Sequence, residues 1–425
     1  MPSVRERIGA RCARHGISPL DALFFLCVCA FFFFLPLRTD ATATILTMTV
    51  LAISAVRRRG AWRVFLDNRV RLPLLAFAVF ICVAFIASAL NPATLSKFPR
   101  VLLWGCCVFS GVALSLCVPH HGGGYFWALF LALAASFAIA AVFYGYDNPA
   151  IWHDGRLKLF AMHPSRLGLY ASACLFFLLY RAIAASGRER GTALVGALLA
   201  FYILFSTNTR GNLLMLPLGL LCLGVSLPGR YVKHLVLAVL LCAVLGGGIL
   251  WVKSESFVGQ RLISAVTNPL EDATFKTRLP IWHVAWESFK TAPAIGHGYQ
   301  SYLEEHAAYT REHGAMMRER FGGYEAKVKQ AHNIILGRLV ETGIVGTAAF
   351  FLFYCVAIAA AWRGPRSNRW LLAPLVFYLA MSMFDDGLYR INDAFILFVA
   401  GTALGGLLQT PEASRSAPVP SRYVA

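Results

Sequence analysis

Stretches of continuous apolar sequence, each close to the thickness of a bilayer, recur along the whole chain. A hydrocarbon core of about 30 Å takes roughly 20 apolar residues per helix. About twelve stretches qualify: 20–37, 41–56, 72–90, 101–118, 124–144, 167–185, 192–206, 211–227, 233–252, 333–361, 370–384 and 393–409. Backbone polar groups in lipid must find partners inside the segment, which leaves helices or closed barrels. The runs are uniformly apolar rather than alternating, so a barrel is excluded. The expectation is an all-α polytopic membrane protein of about twelve transmembrane helices.

Charge distribution sets the orientation. The 425-residue chain carries a formal charge of +18, which would suit a nucleic-acid partner if the charge formed one patch. Instead Arg5, Arg7, Arg11 and Arg14 precede the first span, and Arg57, Arg58, Arg59, Arg63, Arg69 and Arg71 follow the second. Arg181, Arg188 and Arg190 follow the sixth, Arg230 and Lys233 the eighth, and Arg363, Arg366 and Arg369 the tenth, with Arg415 and Arg422 in the tail. With alternating spans all of these fall on one side, which the positive-inside rule makes cytoplasmic. Both termini are then inside, no nucleic-acid partner is implied, and membrane lipids surround the chain.

The chain divides accordingly. Residues 1–252 carry spans one to nine, 253–331 form a long external loop, 332–410 carry spans ten to twelve, and the Pro- and Ser-rich tail 411–425 reads as disordered. Ten of the eleven cysteines fall within spans, and Cys12 lies in the inner tail, so no disulfide framework is expected. The first apolar run lacks a small-residue cleavage site and reads as a span.

Every even-numbered span starts at the external surface, where its positive dipole end and unpaired N–H groups point outward. Basic residues gather at those starts: Arg100 before the fourth, Pro164-Ser165-Arg166 at the sixth, Thr207-Asn208-Thr209-Arg210-Gly211-Asn212 at the eighth, His332-Asn333 at the tenth. A cation is the disfavoured sign at a helix N-terminus, unless an anion is shared between dipole and guanidinium. Arginine suits phosphate through its planar fork. Arginines near span ends also snorkel to headgroups with no further role, but Arg210 sits in a turn too tight to swing far into water.

In the loop between spans five and six, Arg156 and Arg166 are candidate anion ligands, and His153 and His163 read as surface imidazoles. In the long loop, Thr277-Arg278-Leu279-Pro280 leads into a helix whose Trp282, Ala285, Trp286 and Phe289 share one face. That face suits the membrane interface, with Arg278 placed at the helix start. Gly296-His297-Gly298-Tyr299 reads as a turn, and Glu304 to Arg320 as a charged helix whose Met316-Met317 pair packs. His332 is the candidate base, because an imidazole can take a proton from an attacking hydroxyl. Asn333 stands beside it, Arg338 and Glu341 are spaced to pair, and Asp385-Asp386-Gly387 and Arg390 complete the external polar set. There is no Walker A loop, no HExxH, no acidic pair with metal spacing and no CxxC pair, so no cofactor and no metal is expected.

Together the twelve spans, the large loop before the tenth, the Thr-Asn-Thr-Arg-Gly turn, Arg278 before Trp282, the Gly-His-Gly turn and His332-Asn333-x-x-Leu336…Glu341-x-Gly343 resemble the O-antigen ligase family. The resemblance implies transfer of O-antigen glycan from undecaprenyl diphosphate to lipid A–core at the periplasmic face of a bacterial inner membrane. It implies His332 as general base, Arg210 and Arg278 on the diphosphate, Arg156 and Arg166 in support, and Asn333 and Asp386 as further polar groups. Direct displacement by one acceptor implies inversion. O-antigen polymerase, with the same donor, is the nearest alternative. A transporter is the more distant one, to which only Gly246-Gly247-Gly248 in the ninth span lends a feature.

Overall fold

Pro19, Pro99 and Pro164 each stand in the first turn of a long apolar helix, where a missing N–H breaks no hydrogen bond. Helix starts are thereby fixed locally, and apolar sequence carries each helix on. The computed structural model describes residues 18–37, 41–118, 123–145, 148, 151–153, 156–159, 163–227, 229, 233, 273–322, 328, 330–384 and 394–409. The first eight long helices are α1 (Pro19–Phe34), α2 (Thr42–Arg58), α3 (Asn68–Leu90), α4 (Pro99–Cys117), α5 (Tyr125–Tyr144), α6 (Pro164–Ala184), α7 (Gly187–Ser206) and α8 (Arg210–Ser226). They correspond to the first eight expected spans. The expected ninth, 233–252, with Gly246-Gly247-Gly248, lies outside the described residues. After it come α9 (Ala273–Thr291), α10 (Tyr302–Phe321), α11 (Ile334–Arg363), α12 (Leu372–Met381) and α13 (Phe395–Gly406).

Among the described residues, seven helices are long and apolar enough to cross a membrane: α1, α3, α4, α5, α6, α7 and α11. Large apolar side chains such as Leu26, Val142, Phe143 and Leu198 stand on the outside of the bundle, as lipid-facing residues do. The chain is a multi-pass membrane protein. The expectation of a purely helical chain needs one amendment, a two-residue antiparallel ladder of β1 (Trp152–His153) on β2 (Arg156–Leu157) in the loop before α6.

Close approach between helices rests on small residues, as it does where lipid offers no hydrophobic drive to associate. On α4, a Cβ at Gly111 would stand 2.1 Å from the Phe398 carbonyl of α13, and one at Gly401 would stand 2.2 Å from the Val108 carbonyl of α4. The Ser115 hydroxyl donates to the Thr402 carbonyl across the same crossing at 2.8 Å. Rings of Phe32, Tyr125, Phe126 and Phe398 fill the space beside it.

The two ends of the bundle differ. At one, Arg59 closing α2 donates to Asp21 in the first turn of α1 and to the Cys117 carbonyl at the end of α4, at 2.6 and 3.0 Å. At the other end of α3 and α4, Asn91 Nδ2 donates to the His297 carbonyl at 2.9 Å and Arg100 donates to Gln300 Oε1 at 2.7 Å. The arginine-rich segment after α2 and the long insert therefore lie at opposite ends of these helices.

Within the insert, α9 and α10 pack on each other and on the start of α11. Ile281, Ala285 and Phe289 of α9 are buried with Tyr302, Val328, Ala331 and Val340. The expected apolar face is rotated: Val284 is fully buried, whereas Trp286 is 47% exposed. Contacts with α10 and α11 choose the buried stripe, and spacing alone does not show that choice. Met317 of α10 is fully buried, so its role is packing as expected.

Helix α11 is broken where the insert meets it. Gly343 adopts φ 59° and ψ −166°, outside any helical conformation. In a continuous helix Ile344 N–H would bond the Val340 carbonyl, and Val345 N–H the Glu341 carbonyl. Here the segment 293–298 takes over both pairs. Ile344 N donates to Pro293 O at 2.9 Å and Val345 N to Ala294 O at 3.2 Å, while Val340 O and Glu341 O accept from His297 N at 2.8 Å and Gly298 N at 3.0 Å. Four backbone groups that would each cost several kcal/mol unpaired in an apolar setting are thereby satisfied. The Gly-His-Gly turn is a turn, as its sequence suggests, and it is docked into a membrane helix.

Candidate active site at one end of the bundle

The segment that carries His332 is strapped to the end of α12. Asn333 is the N-cap of α11, its Oδ1 accepting from Ile335 N and Leu336 N at 3.0 and 3.1 Å. Its Nδ2 donates to the Met383 carbonyl at 3.1 Å, and Ile334 N donates to the Ser382 carbonyl at 2.8 Å. His332 itself has φ 50°, a left-handed conformation uncommon outside glycine, though histidine adopts it more readily than most residues. Such a conformation persists only where the surroundings hold it, and here the cap and the two bonds to α12 do so. The side-chain amide of Gln330 lies 3.3 Å from His332 Nδ1. The approaching atom is the amide nitrogen, Nε2, which only donates, so in this contact His332 Nδ1 is the acceptor.

The same turn at the end of α12 abuts the arginine-bearing turn between α7 and α8. Arg210 is the first residue of α8, and a Cβ at Gly211 would stand 3.8 Å from Met381 and 3.9 Å from Phe384. Arg166 is the third residue of α6 and its Nε is buried. The α6 start is bound to the α8 start, since Asn212 Nδ2 donates to the Ser165 carbonyl at 2.9 Å. Arg156 arrives from β2, its Nε 3.5 Å from the Thr207 carbonyl. His163 is the N-cap of α6, its Nδ1 accepting from Ser165 N.

The structure thus sets the His332-Asn333 corner and the start of α8 against the Met381–Phe384 turn, with the segments of Arg166 and Arg156 bonded to the start of α8. Arg278 lies on α9, the helix of the insert that packs on α11. The expectation that it sits at a helix start is corrected: α9 begins at Ala273, so Arg278 is its sixth residue, with Pro280 inside the helix. Pro280 is the eighth residue and lies in the helix interior, where it removes one i to i−4 bond and crowds the carbonyl four residues earlier, yet the helix runs on through it. Asp386, with Asp385, Gly387 and Arg390, lies outside the described residues.

The N-termini of α6, α8 and α11 meet at this end, and none of the three carries an acidic residue in its first turn. Acids are the favoured residues there. Their absence leaves the positive ends of these helices uncompensated, beside segments that carry three arginines. Beneath it, Arg338 and Glu341 of α11 pair at 2.8 Å in full burial, as their spacing suggests. The Arg338 guanidinium lies 5.5 Å from the Trp104 ring centre, and Glu341 Oε1 accepts from Gln300 N at 3.0 Å. A buried pair of this kind ties the insert to the membrane helix.

Sequence reasoning missed the parts played by Asn212, Gln330 and Gln300. Asn212 and Gln330 had a legible signal, each being a polar amide two residues from a singled-out residue. Gln300 had none, because its partners Arg100 and Glu341 are remote in sequence.

The fold defines a multi-pass membrane protein with several helix N-termini gathered at one end of its bundle. Residues 195–351 match the model of the O-antigen ligase family, and the match supports placing the chain in that family. The matched segment holds Arg210, Arg278 and His332, while Arg156 and Arg166 precede it. Members of the family, which includes ligases and polymerases, are membrane glycosyltransferase-like enzymes of lipopolysaccharide biosynthesis. Comparison with curated proteins gives no match.

Proposed function

We propose that this protein is an O-antigen ligase. It transfers glycan from an undecaprenyl diphosphate carrier to a hydroxyl of lipid A–core, on the periplasmic side of the inner membrane, with both termini cytoplasmic. The observation that supports this reading is that the cap after His332 and the start of α8, which bears Arg210, both contact one turn after α12, and that the α6 start bearing Arg166 is bonded to the α8 start. A base and an anion clamp on one rigid frame are what such a displacement needs. The acceptor oxygen attacks the anomeric carbon, its proton passes to His332, and the bond from that carbon to the diphosphate oxygen breaks. The leaving diphosphate gathers charge, which Arg210, Arg278, Arg166 and Arg156 and the three helix N-termini oppose. Asn333 holds the base in place, and Asp386 stands close in sequence to the same α12 turn. One displacement inverts the anomeric centre, and the donor's own glycosyl–diphosphate bond supplies the driving force without ATP or a metal.

The test is transfer by purified protein in lipid, with undecaprenyl-diphosphate-linked glycan and lipid A–core, in EDTA and without ATP. Glycan on lipid A–core, lowered at least ~10²-fold in His332→Ala, is the expected result. Longer lipid-linked glycan with untouched core would make the protein a polymerase. A retained anomeric configuration by NMR, or full activity in His332→Ala, would overturn the mechanism.

A further inference from the structure

One side-chain amide holds the residues immediately preceding two of the arginines. Asn212 is 1% exposed. Its Nδ2 donates to the carbonyl of Ser165, the neighbour of Arg166, at 2.9 Å, and to Oγ1 of Thr209, the neighbour of Arg210, at 2.8 Å. The Thr209 hydroxyl lies 2.9 Å from that of Thr207, whose carbonyl Arg156 Nε approaches. The segments that carry three arginines are thus joined, two by this amide and the third by the longer contact of Arg156 with Thr207. The fit around it is tight: a Cβ at Gly168 would stand 2.1 Å from Asn212 Nδ2 and 2.8 Å from Thr209 Oγ1. Asn212 Oδ1 is buried and has no hydrogen-bond partner among the described residues. An orphan acceptor is a cost to folding, and packing alone gives no reason to keep it. Asparagine supplies two donor hydrogens here without adding the charge that aspartate would place among the arginines.

We propose that Asn212 is a positioning residue that sets the spacing of the Arg156, Arg166 and Arg210 guanidiniums, and so the affinity for the donor's diphosphate. The inference rests on the donor-binding role proposed above. Misplacement by about 1 Å of groups that grip a reacting substrate costs up to ~10²-fold. Releasing the α6 start from the α8 start permits a shift of that size.

The experiment measures steady-state transfer and inhibition by undecaprenyl diphosphate, with protein in lipid nanodiscs whose thermal unfolding matches the parent. In Asn212→Ala the donor KM rises about tenfold or more and inhibition weakens in parallel, while the acceptor KM stays. Asn212→Asp is weaker still for donor, because its carboxylate competes with the diphosphate for the guanidiniums. Gly168→Ala displaces the same amide from the other side and gives the same signature, with a smaller effect in an Asn212→Ala background. Where Asn212→Ala fails to fold, Asn212→Ser, which keeps one donor, and Gly168→Ala carry the test. An unchanged donor KM and inhibition, or equal losses for both substrates, would overturn the positioning role. Arg210→Ala separates the two layers. Undecaprenyl diphosphate affinity lost there but kept in Asn212→Ala rejects the inference alone, whereas affinity kept in Arg210→Ala rejects the donor site itself.

Discussion

Asn333 caps α11 with its side-chain oxygen and, with its nitrogen, donates to the carbonyl of Met383 at 3.1 Å. The two functions of one amide can be separated. Asn333→Asp keeps the cap acceptor and loses the bond to α12. It is expected to retain most thermal stability and to lower transfer, because the His332 corner then keeps only the Ile334 bond to the turn after α12. Asn333→Ala loses both, with a further ~1 kcal/mol from the missing cap. Unfolding in detergent beside initial rates of transfer checks the pair; equal activity of Asn333→Asp and parent would show the α12 bond to be dispensable.

Gly343 carries the break in α11. A side chain there would meet the Ala294 backbone at 2.3 Å, at φ 59°. Gly343→Ala is expected to lower stability by about 1–3 kcal/mol from the backbone conformation alone, with the clash in addition. Loss of the native band in size-exclusion chromatography, or a sharp fall in Tm, is the measurable outcome.

The buried Arg338–Glu341 pair predicts strong non-additivity. Removing one partner leaves an uncompensated buried charge, which costs about 3–5 kcal/mol, whereas replacing both by apolar residues of similar volume is far milder. Arg338→Met and Glu341→Leu should each be severely destabilised. The double variant should recover much of the loss, less the bond from Gln300 N to Glu341. A double-mutant cycle on unfolding free energies reads the coupling.

His306 of α10 is 1% exposed, and burial lowers its pKa from 6.5 to about 4. The folded state therefore binds fewer protons than the unfolded state between these values, so stability rises with pH across that window. Docking of α10 on α9 should be intact above about 6.5 and progressively lost as pH falls towards 4. Hydrogen exchange of α10 amides across that range checks it, and His306→Leu should flatten the dependence. A slope that survives the substitution would assign the effect to another group.

Much of this architecture is legible in the chain because lipid makes simple demands. Continuous apolar runs and helix-starting prolines mark α1 to α8 where they occur, and Arg338–Glu341 follows from helical spacing. What escapes is everything settled by distant partners. The break at Gly343 reads as ordinary helix, since its replacement bonds come from residues some fifty positions earlier. The buried face of α9 turns away from Trp286 because α10 and α11 choose it. Arg156 and Arg166 are legible by their charge, whereas the Asn212 amide that joins the Arg166 segment to the start of α8 reads as one more polar residue in a turn.

The exchanged hydrogen bonds at Gly343 also bear on how the chain matures. Residues 293–298 are synthesised before α11, so the loop is already made when the helix enters the bilayer. If α11 entered first as a straight rod it would satisfy itself, and it would then have to surrender two backbone bonds inside lipid to admit the loop. Docking during insertion avoids that barrier. Biogenesis of this protein is therefore expected to be sensitive to the timing of the insert's delivery across the membrane, and a slow-maturing population with an unbroken α11 is the species that mistiming would trap.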